Sequence, residues 1–433
     1  MDACPTGGRF RAGLVAVLVA AACAVAGQPR AAQNDLPQTD LLQAGLVAAS
    51  AAFQPGLFAA PVDYLSGHGP GSVAVGDLRA DGRTDLITVN VGDGTAAVLL
   101  GDGKGAFGPP VTYPVGPGPS GLATGDLNGD GAIDLAVSNQ YNATVTVLLG
   151  RGDGTFGTPV AYPTGSGPSG VAIGDLTGRG TADLAVSDQF DGTVAVLLGH
   201  GDGTFEPPRI LPAGPSPSSL TVGRLDDDDR PDLAVTNAGN GTVVVLSSAG
   251  DGRFGPPQPY LTGPGPSSVS TGDVTGDGRA DLLVTNAGNA TVSVLPATGR
   301  GGFGAGWSYP TGPGPSSVTL GDVTGDDVGD LAVANAGNAT VSVLAGRDDA
   351  TFAPQQVYLA GPGPASLAEG DLTGRGRTDM VVANGRGSTV SVLAAEAVSA
   401  ASTAASDDAD IARGSAGRRR SCPGTRETAM PGM

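Results

Sequence analysis

The sequence predicts an all-β fold, a seven-bladed β-propeller of four-stranded antiparallel blades, and three observations carry that prediction. A 49-residue period runs through the chain without insertion or deletion. Each period holds four short apolar runs separated by turn residues, and the two ends of the array are complementary fractions of one period.

The period is plainest on the string Gly-Asp-Leu/Val, whose second position falls at Asp77, Asp126, Asp175, Arg224, Asp273, Asp322 and Asp371. Two more columns keep step: Phe58, Phe107, Phe156, Phe205, Phe254, Phe303 and Phe352, and Pro70, Pro119, Pro168, Pro217, Pro266, Pro315 and Pro364. Gly at 73 and Pro at 34 would by themselves suggest low complexity, but they recur in register and 40% of the chain is hydrophobic. Periodic turn formers between short apolar runs mean hairpins.

The second unit shows the strands. They are expected from Leu122 to Leu127, Leu135 to Asn139, Thr144 to Leu149 and Val160 to Pro163. Their faces carry Val, Leu, Ala, Thr and Ser, small enough for twisted sheets to stack closely. The recurring Phe, with a recurring Tyr at 64, 113, 162, 260, 309 and 358 and Leu211 in the fourth unit, is expected to fill the space between blades.

The array begins with an outer-strand segment, Phe58 to Leu65, and stops after a third strand, Thr389 to Leu393. Joined, the two fractions complete the seventh blade and remove exposed sheet edges. The propeller is thus expected over residues 57–394. Residues 27–56 and 395–433, the latter with Arg418, Arg419 and Arg420, read as a disordered leader and tail.

Residues 1–26 read as a secretory signal peptide: Arg9 and Arg11 precede an apolar stretch ending in Ala24-Val25-Ala26. Ala21-Ala22-Cys23 offers a lipoprotein reading that Ala20 weakens. No other segment approaches the roughly 20 apolar residues a membrane helix needs. Cys4, Cys23 and Cys422 make no disulfide framework. The expectation is a secreted or surface-attached monomer with no transmembrane span.

The formal charge is −19, and the acid is nearly all Asp, Glu occurring only at Glu206, Glu369, Glu396 and Glu427. Such a surface excludes nucleic acid as a partner. Short carboxylates crowded into loops call for a cation.

In the second unit the loop GDLNGDGAIDL places oxygen side chains at positions 1, 3, 5 and 9: Asp126, Asn128, Asp130 and Asp134. Calcium takes about six to eight oxygens at roughly 2.3–2.6 Å, which these residues and the carbonyl of Ala132 can supply once Gly131 allows the turn. The fifth loop offers Asp273, Thr275, Asp277, Asp281 and the carbonyl of Arg279. The sixth offers Asp322, Thr324, Asp326, Asp330 and the carbonyl of Val328. The first keeps Asp77, Asp81, Asp85 and the carbonyl of Arg83, but has Arg79 at position 3. The expected order of Ca2+ sites is second, fifth, sixth, first.

Arg179 and Arg375 at position 5, and Arg224 at position 1, are expected to replace the ion in the other three loops by salt bridges. Position 9 is Asp in all seven units, which assigns it a structural role as acceptor of backbone N–H groups.

These motifs resemble the FG-GAP repeat family, also described as VCBS-type repeats, whose best-known members form the propeller head of integrin α subunits. The name-giving string stands at Phe107-Gly108, Phe156-Gly157 and Phe254-Gly255, while Phe58, Phe205 and Phe352 lack the Gly. The resemblance implies seven blades and calcium in loops between first and second strands, away from most ligand contacts.

Other signals yield to simpler readings. Arg151-Gly152-Asp153 aligns with His200-Gly201-Asp202 and Ala249-Gly250-Asp251, so it is the repeat's own turn. Asn142, Asn240, Asn289 and Asn338 open Asn-x-Thr strings that turn chemistry explains equally well. Trp307 stands at a variable outer-strand position and is expected to be exposed, with sugar stacking as its functional alternative. Glu369 is expected to pair with Arg375. His68 and His200 are the only histidines, which leaves no triad or zinc set and favours a non-enzymatic binding protein.

The functional expectation is an interaction or adhesion module for a protein or glycan ligand. A lectin with sugar between blades is the alternative, and a polysaccharide-active enzyme the third reading.

Overall fold

The structure is a computed structural model that describes residues 56–396. The signal peptide, nearly all of the leader and nearly all of the tail expected from sequence lie outside the described residues. Among the described residues no helix is long and apolar enough to cross a membrane.

Seven four-stranded antiparallel sheets form a ring. In blade 1 the strands are Pro70–Gly76, Asp85–Asn90, Thr95–Leu99 and Val111–Pro114, counted from the axis outwards, and the other blades repeat this with the 49-residue period. Burial peaks in the two middle strands, the innermost being mostly half-buried. The second strand is buried at every position, the third at nearly every one, and the fourth exposes three of its four residues in most blades. A strand covered on both faces needs no polar–apolar alternation, which is why Leu135 to Val137 reads as a continuous apolar run.

The chain has no single core. Seven buried apolar clusters each span two adjacent blades, and the cluster joining blades 7 and 1 sets Leu372, Val381, Val390 and Val392 against Val73, Leu86 and Leu99. Between blades 1 and 2, for example, Leu78, Ile87 and Val98 meet Leu135, Val137 and Phe156.

The periodic aromatics form a clasp at each interface. The outer-strand Tyr of one blade meets the Phe of the next edge to face, as in Tyr64–Phe107 and Tyr162–Phe205, both at 5.3 Å between centroids. Such pairs add about 0.5–1.5 kcal/mol each beyond their burial. Six interfaces carry one; between blades 3 and 4 Leu211 packs with Phe254 instead.

A second device stitches the inner strands. Ser120, Ser169, Ser218, Ser267 and Ser316 donate their hydroxyls to the Pro carbonyl opening the next blade's inner strand, at 2.7 to 2.9 Å. Blade 1 has Gly71 and blade 7 has Ala365 at this position, so the two interfaces flanking blade 1 lack the stitch. Other contacts hold the seam. Val62–Leu65 pairs with Thr389–Leu393 in antiparallel register, Val62 facing Val392, and Thr84 Oγ1 donates to the Asp371 carbonyl at 2.8 Å.

Small two-stranded hairpins, Ser248–Gly250 with Arg253–Phe254 and Ala297–Gly299 with Gly302–Phe303, decorate the loops after the third strand in blades 4 and 5. In blades 1, 2, 3 and 6 one bridge replaces them.

Candidate metal centre

The loop between first and second strands lies at one end of every blade, and its frame is the aspartate at position 9. Asp85, Asp134, Asp183, Asp232, Asp281, Asp330 and Asp379 are all fully buried. In blade 2, Asp134 Oδ2 accepts the N–H of Leu127 at 2.8 Å and Oδ1 that of Gly150 at 2.6 Å. One carboxylate thus ties its own loop to the end of the third strand, the structural role read from sequence. Burial pushes the carboxyls of Asp134, Asp281 and Asp330 above their usual range, and neighbouring loop aspartates push the same way.

Position 1 nucleates the turn. Asp126 Oδ1 accepts the N–H of Gly129 at 2.7 Å and Oδ2 that of Gly131 at 2.9 Å. Burial opposes its ionisation, but backbone donors led by Gly131 and Gly129 outweigh that and hold its carboxyl below the usual range. Gly131, at φ +81°, takes the left-handed conformation this winding requires.

In blade 6 the residue at the same step is Asp327, at φ +64°. A non-glycine residue there is strained by about 1–2 kcal/mol. That loop also gathers its acids most tightly: carboxylate oxygens of Asp322, Asp326 and Asp330 lie within 4.8 Å of one another. Beside them Thr324 Oγ1 is buried without a hydrogen-bond partner. Three carboxylates and an orphaned hydroxyl are a hard-oxygen set that fits a calcium-sized cation.

The gathered site is therefore in blade 6, whereas the sequence ranks blade 2 first. In blade 2 the Asn128 amide donates to Asp130 Oδ2 at 2.9 Å, and Asn128 Oδ1, the atom expected to face the ion, accepts the Asp130 N–H at 3.0 Å. In blade 5 Asp273 winds the turn as in blade 2 and Thr275 Oγ1 is again orphaned, but Arg279 folds onto Asp277 at 3.2 Å and reaches Asp227 of blade 4 at 3.2 Å.

Blade 1 is filled from within. Arg79 sends Nη2 to Asp85 Oδ1 at 2.7 Å and to the Gly101 carbonyl at 2.7 Å, while Nη1 lies 3.3 Å from Asp81 Oδ2. A guanidinium between position 5 and position 9 supplies the positive charge an ion would bring. The weakest calcium loop in the sequence ranking is thus the self-neutralised one.

The salt bridges expected of the other arginines do not form in that way. Arg179 and Arg375 are exposed and contribute backbone N–H groups to Asp175 and Asp371, each at 3.0 Å, with no ion pair among the described residues. Position 5 sits on the outer turn of the loop, where a long side chain points to water. Arg224 pairs with exposed Asp229 at 3.2 Å rather than with the buried aspartate. Glu369 hydrogen-bonds Thr319 of blade 6 instead of pairing with Arg375. A cavity of about 280 Å³ separates the loops of blades 1 and 2, with Asp77, Asp130 and Arg151 among its walls.

The remaining sequence signals resolve into turn chemistry. Arg151 Nη1 donates to the Phe156 carbonyl at 2.6 Å and Asp153 accepts from Thr155, so both ends of the tripeptide serve their own turn. Asn142, Asn240, Asn289 and Asn338 each accept the hydroxyl of the Thr two residues on, at 2.7 to 2.8 Å. Trp307 is exposed, as its variable position suggested. At the opposite end of the ring, sequence reasoning passed over Tyr141 and Phe190. Their signal was the replacement of glycine by an aromatic residue at one turn position.

The family model for FG-GAP-like repeats matches residues 77–137, 126–186, 180–235, 224–284 and 273–333. None of the curated proteins compared with the chain matches it. Among solved structures, BBS1N in complex with ARL6DN matches with a TM-score of 0.56 at 14% identity, covering 79% of this chain and 98% of that one. Virginiamycin B lyase from Staphylococcus aureus gives 0.55 at 14% identity, covering 78% and 99%. An Agrocybe aegerita lectin that recognises non-reducing terminal N-acetylglucosamine gives 0.50 at 19% identity, covering 74% and 86%. At these identities the likeness is one of fold.

Proposed function

Because the chain belongs to the FG-GAP-like repeat family, we propose that it is a secreted calcium-binding propeller that serves as an interaction module. The observation that carries the calcium reading is the blade 6 loop. Asp322, Thr324, Asp326, Asp330 and the carbonyl of Val328 would hold the ion, which would supply positive charge to neutralise three converging carboxylates and leave the loop rigid. Blades 2 and 5 are weaker candidates that need small side-chain rearrangements. Blade 1 is assigned to Arg79.

The interaction reading is supported by the division of labour along the blade. One end is given to carboxylate loops that hold themselves together; the other presents short hairpins and Gly-Pro loops repeated around the ring. Repetition favours a broad or multivalent surface over one deep pocket. His68 and His200 lie at opposite ends of their blades and cannot act together, which supports a binding role over catalysis. Secretion rests on the N-terminal signal pattern alone.

The test is calcium titration by calorimetry on metal-stripped protein, paired with thermal melts with and without chelator. One or more tight sites and a melt that chelator lowers support the reading. Heat-silent titration with superimposable melts sinks it.

A further inference from the structure

Two exposed aromatic rings stand at neighbouring hairpin tips on the end opposite the carboxylate loops. Tyr141 of blade 2 is 70% exposed and Phe190 of blade 3 is 68% exposed. Both follow a glutamine in the turn between second and third strands. The same two positions read Val91-Gly92, Ala238-Gly239, Ala287-Gly288, Ala336-Gly337 and Gly385-Arg386 elsewhere, so the Gln–aromatic pair belongs to two adjacent blades only.

The geometry joins them. Gln140 Nε2 donates to Gln189 Oε1 at 3.1 Å across the gap between blades. Each tip is pinned by backbone bonds, Gln140 N to the Gly118 carbonyl at 2.8 Å and Gln189 N to the Gly167 carbonyl at 2.9 Å. Each ring is seated on the glycine beneath it: a Cβ on Gly118 would stand 2.6 Å from Tyr141 Cδ2, and one on Gly167 2.5 Å from Phe190 Cδ2. One side of each ring is thus spent on the loop and the other is left to water. Neither ring belongs to the buried clusters between the blades.

We propose that Tyr141, Phe190, Gln140 and Gln189 form a binding site for a neutral glycan chain. Rings offer flat surfaces to the C–H faces of successive sugar units. The amide pair, after its mutual bond, keeps one donor-rich and one acceptor end for hydroxyl groups. Charge selects neutral sugars: the four side chains are uncharged, and a chain with formal charge −19 repels polyanions.

The proposal rests on the interaction-module reading but not on calcium. The test is calorimetry on the full chain with cellohexaose, laminarihexaose, mannohexaose and chitohexaose, and with a Lys/Arg-rich decapeptide as the competing class. Tyr141→Gly and Phe190→Gly restore the turn residue of four other blades, so folding is preserved and melting temperature verifies it. One hexasaccharide binding to the wild type, weakened about tenfold by each variant and lost in the double variant, is the expected result. The proposal is overturned if no hexasaccharide binds, if the double variant binds as well as the wild type, or if the peptide alone binds through these rings. Hexasaccharide binding retained in chelator by protein without calcium sites would remove the calcium reading and leave this one.

Discussion

Arg79 reaches across its loop to the fully buried Asp85, Nη2 to Oδ1 at 2.7 Å and Nε to Oδ2 at 3.3 Å. The contact turns a calcium-type loop into one that carries its own cation. Arg79→Thr, which installs the position 3 residue of blades 5 and 6, is expected to remove the guanidinium and open the loop to metal. The variant should melt lower than wild type in chelator and recover in calcium, with one more ion per chain by metal analysis. A variant with unchanged stoichiometry and no calcium-dependent recovery would show that the loop does not accept an ion.

In blade 6 the acids themselves should carry the calcium effect. A ligand held at about a hundred times its dissociation constant stabilises by about 2.7 kcal/mol. Asp326→Asn is expected to reduce most of the calcium-dependent rise in melting temperature while changing the chelated protein little, since Asp326 is exposed and the Asn oxygen can still accept the Val328 N–H. Equal calcium shifts in the variant and the wild type would place the ion in another blade.

Asp327 tests the strain in the same loop. At φ +64° it holds a conformation that Gly131 and Gly278 hold freely at the same step. Asp327→Gly is expected to stabilise the metal-free protein by about 1 kcal/mol, read from urea unfolding in chelator. A loss of stability would mean that the Asp327 side chain makes a compensating contact.

Asp188 gives the chain a pH dependence. It is fully buried where the six other blades have Asn, and burial pushes its carboxyl up to about 7 despite the Gly165 N–H that favours ionisation. The neighbouring position on the third strand is Ala195, so Asp188 lacks the hydroxyl that Thr146 and Ser293 offer Asn139 and Asn286. The folded chain holds this proton in a pH range where the unfolded chain has released it. Stability from this group is complete below about pH 4 and is lost as pH rises through about 7. Asp188→Asn should therefore stabilise the protein by an order of 2–4 kcal/mol at pH 8 and not at all at pH 4, measured by denaturant unfolding at the two pH values. A pH-independent gain would assign the effect to packing.

The inner-strand stitches predict where the ring is held. Ser218→Ala removes the 2.8 Å bond to the Pro266 carbonyl and should cost about 1 kcal/mol. Ala365→Ser, at the unstitched seam, is expected to add a similar amount. Chemical unfolding of both variants measures the pair, and opposite signs are the required outcome.

Much of the fold was readable because a repeat averages its own noise. The 49-residue spacing, the four short strands and the Tyr–Phe columns each appear several times, so one irregular unit such as Leu211 could not obscure the rest. The site was readable only to the level of the loop. Position 3 offers an oxygen ligand in Asn128 and Thr324 and none in Arg79, yet spacing does not show that the first bonds Asp130, the second is left orphaned and the third reaches Asp85. Spacing specifies which atoms can meet, whereas side-chain length and neighbouring donors decide which do. Tyr141 and Phe190 escaped notice for the opposite reason: a turn position that varies from unit to unit carries no periodic signal.

The pairing of Val62 to Leu65 with Thr389 to Leu393 also sets an order of events during synthesis. Val62–Leu65 leaves the ribosome well before its partner, which is made only after six whole blades have been translated. Until then the opening segment must wait unpaired while neighbouring blades stack, and the final step is a long-range one with a slow, entropy-limited closure. A truncated transcript would thus yield stacked blades with an unfinished edge, the form of this chain most prone to join another copy of itself.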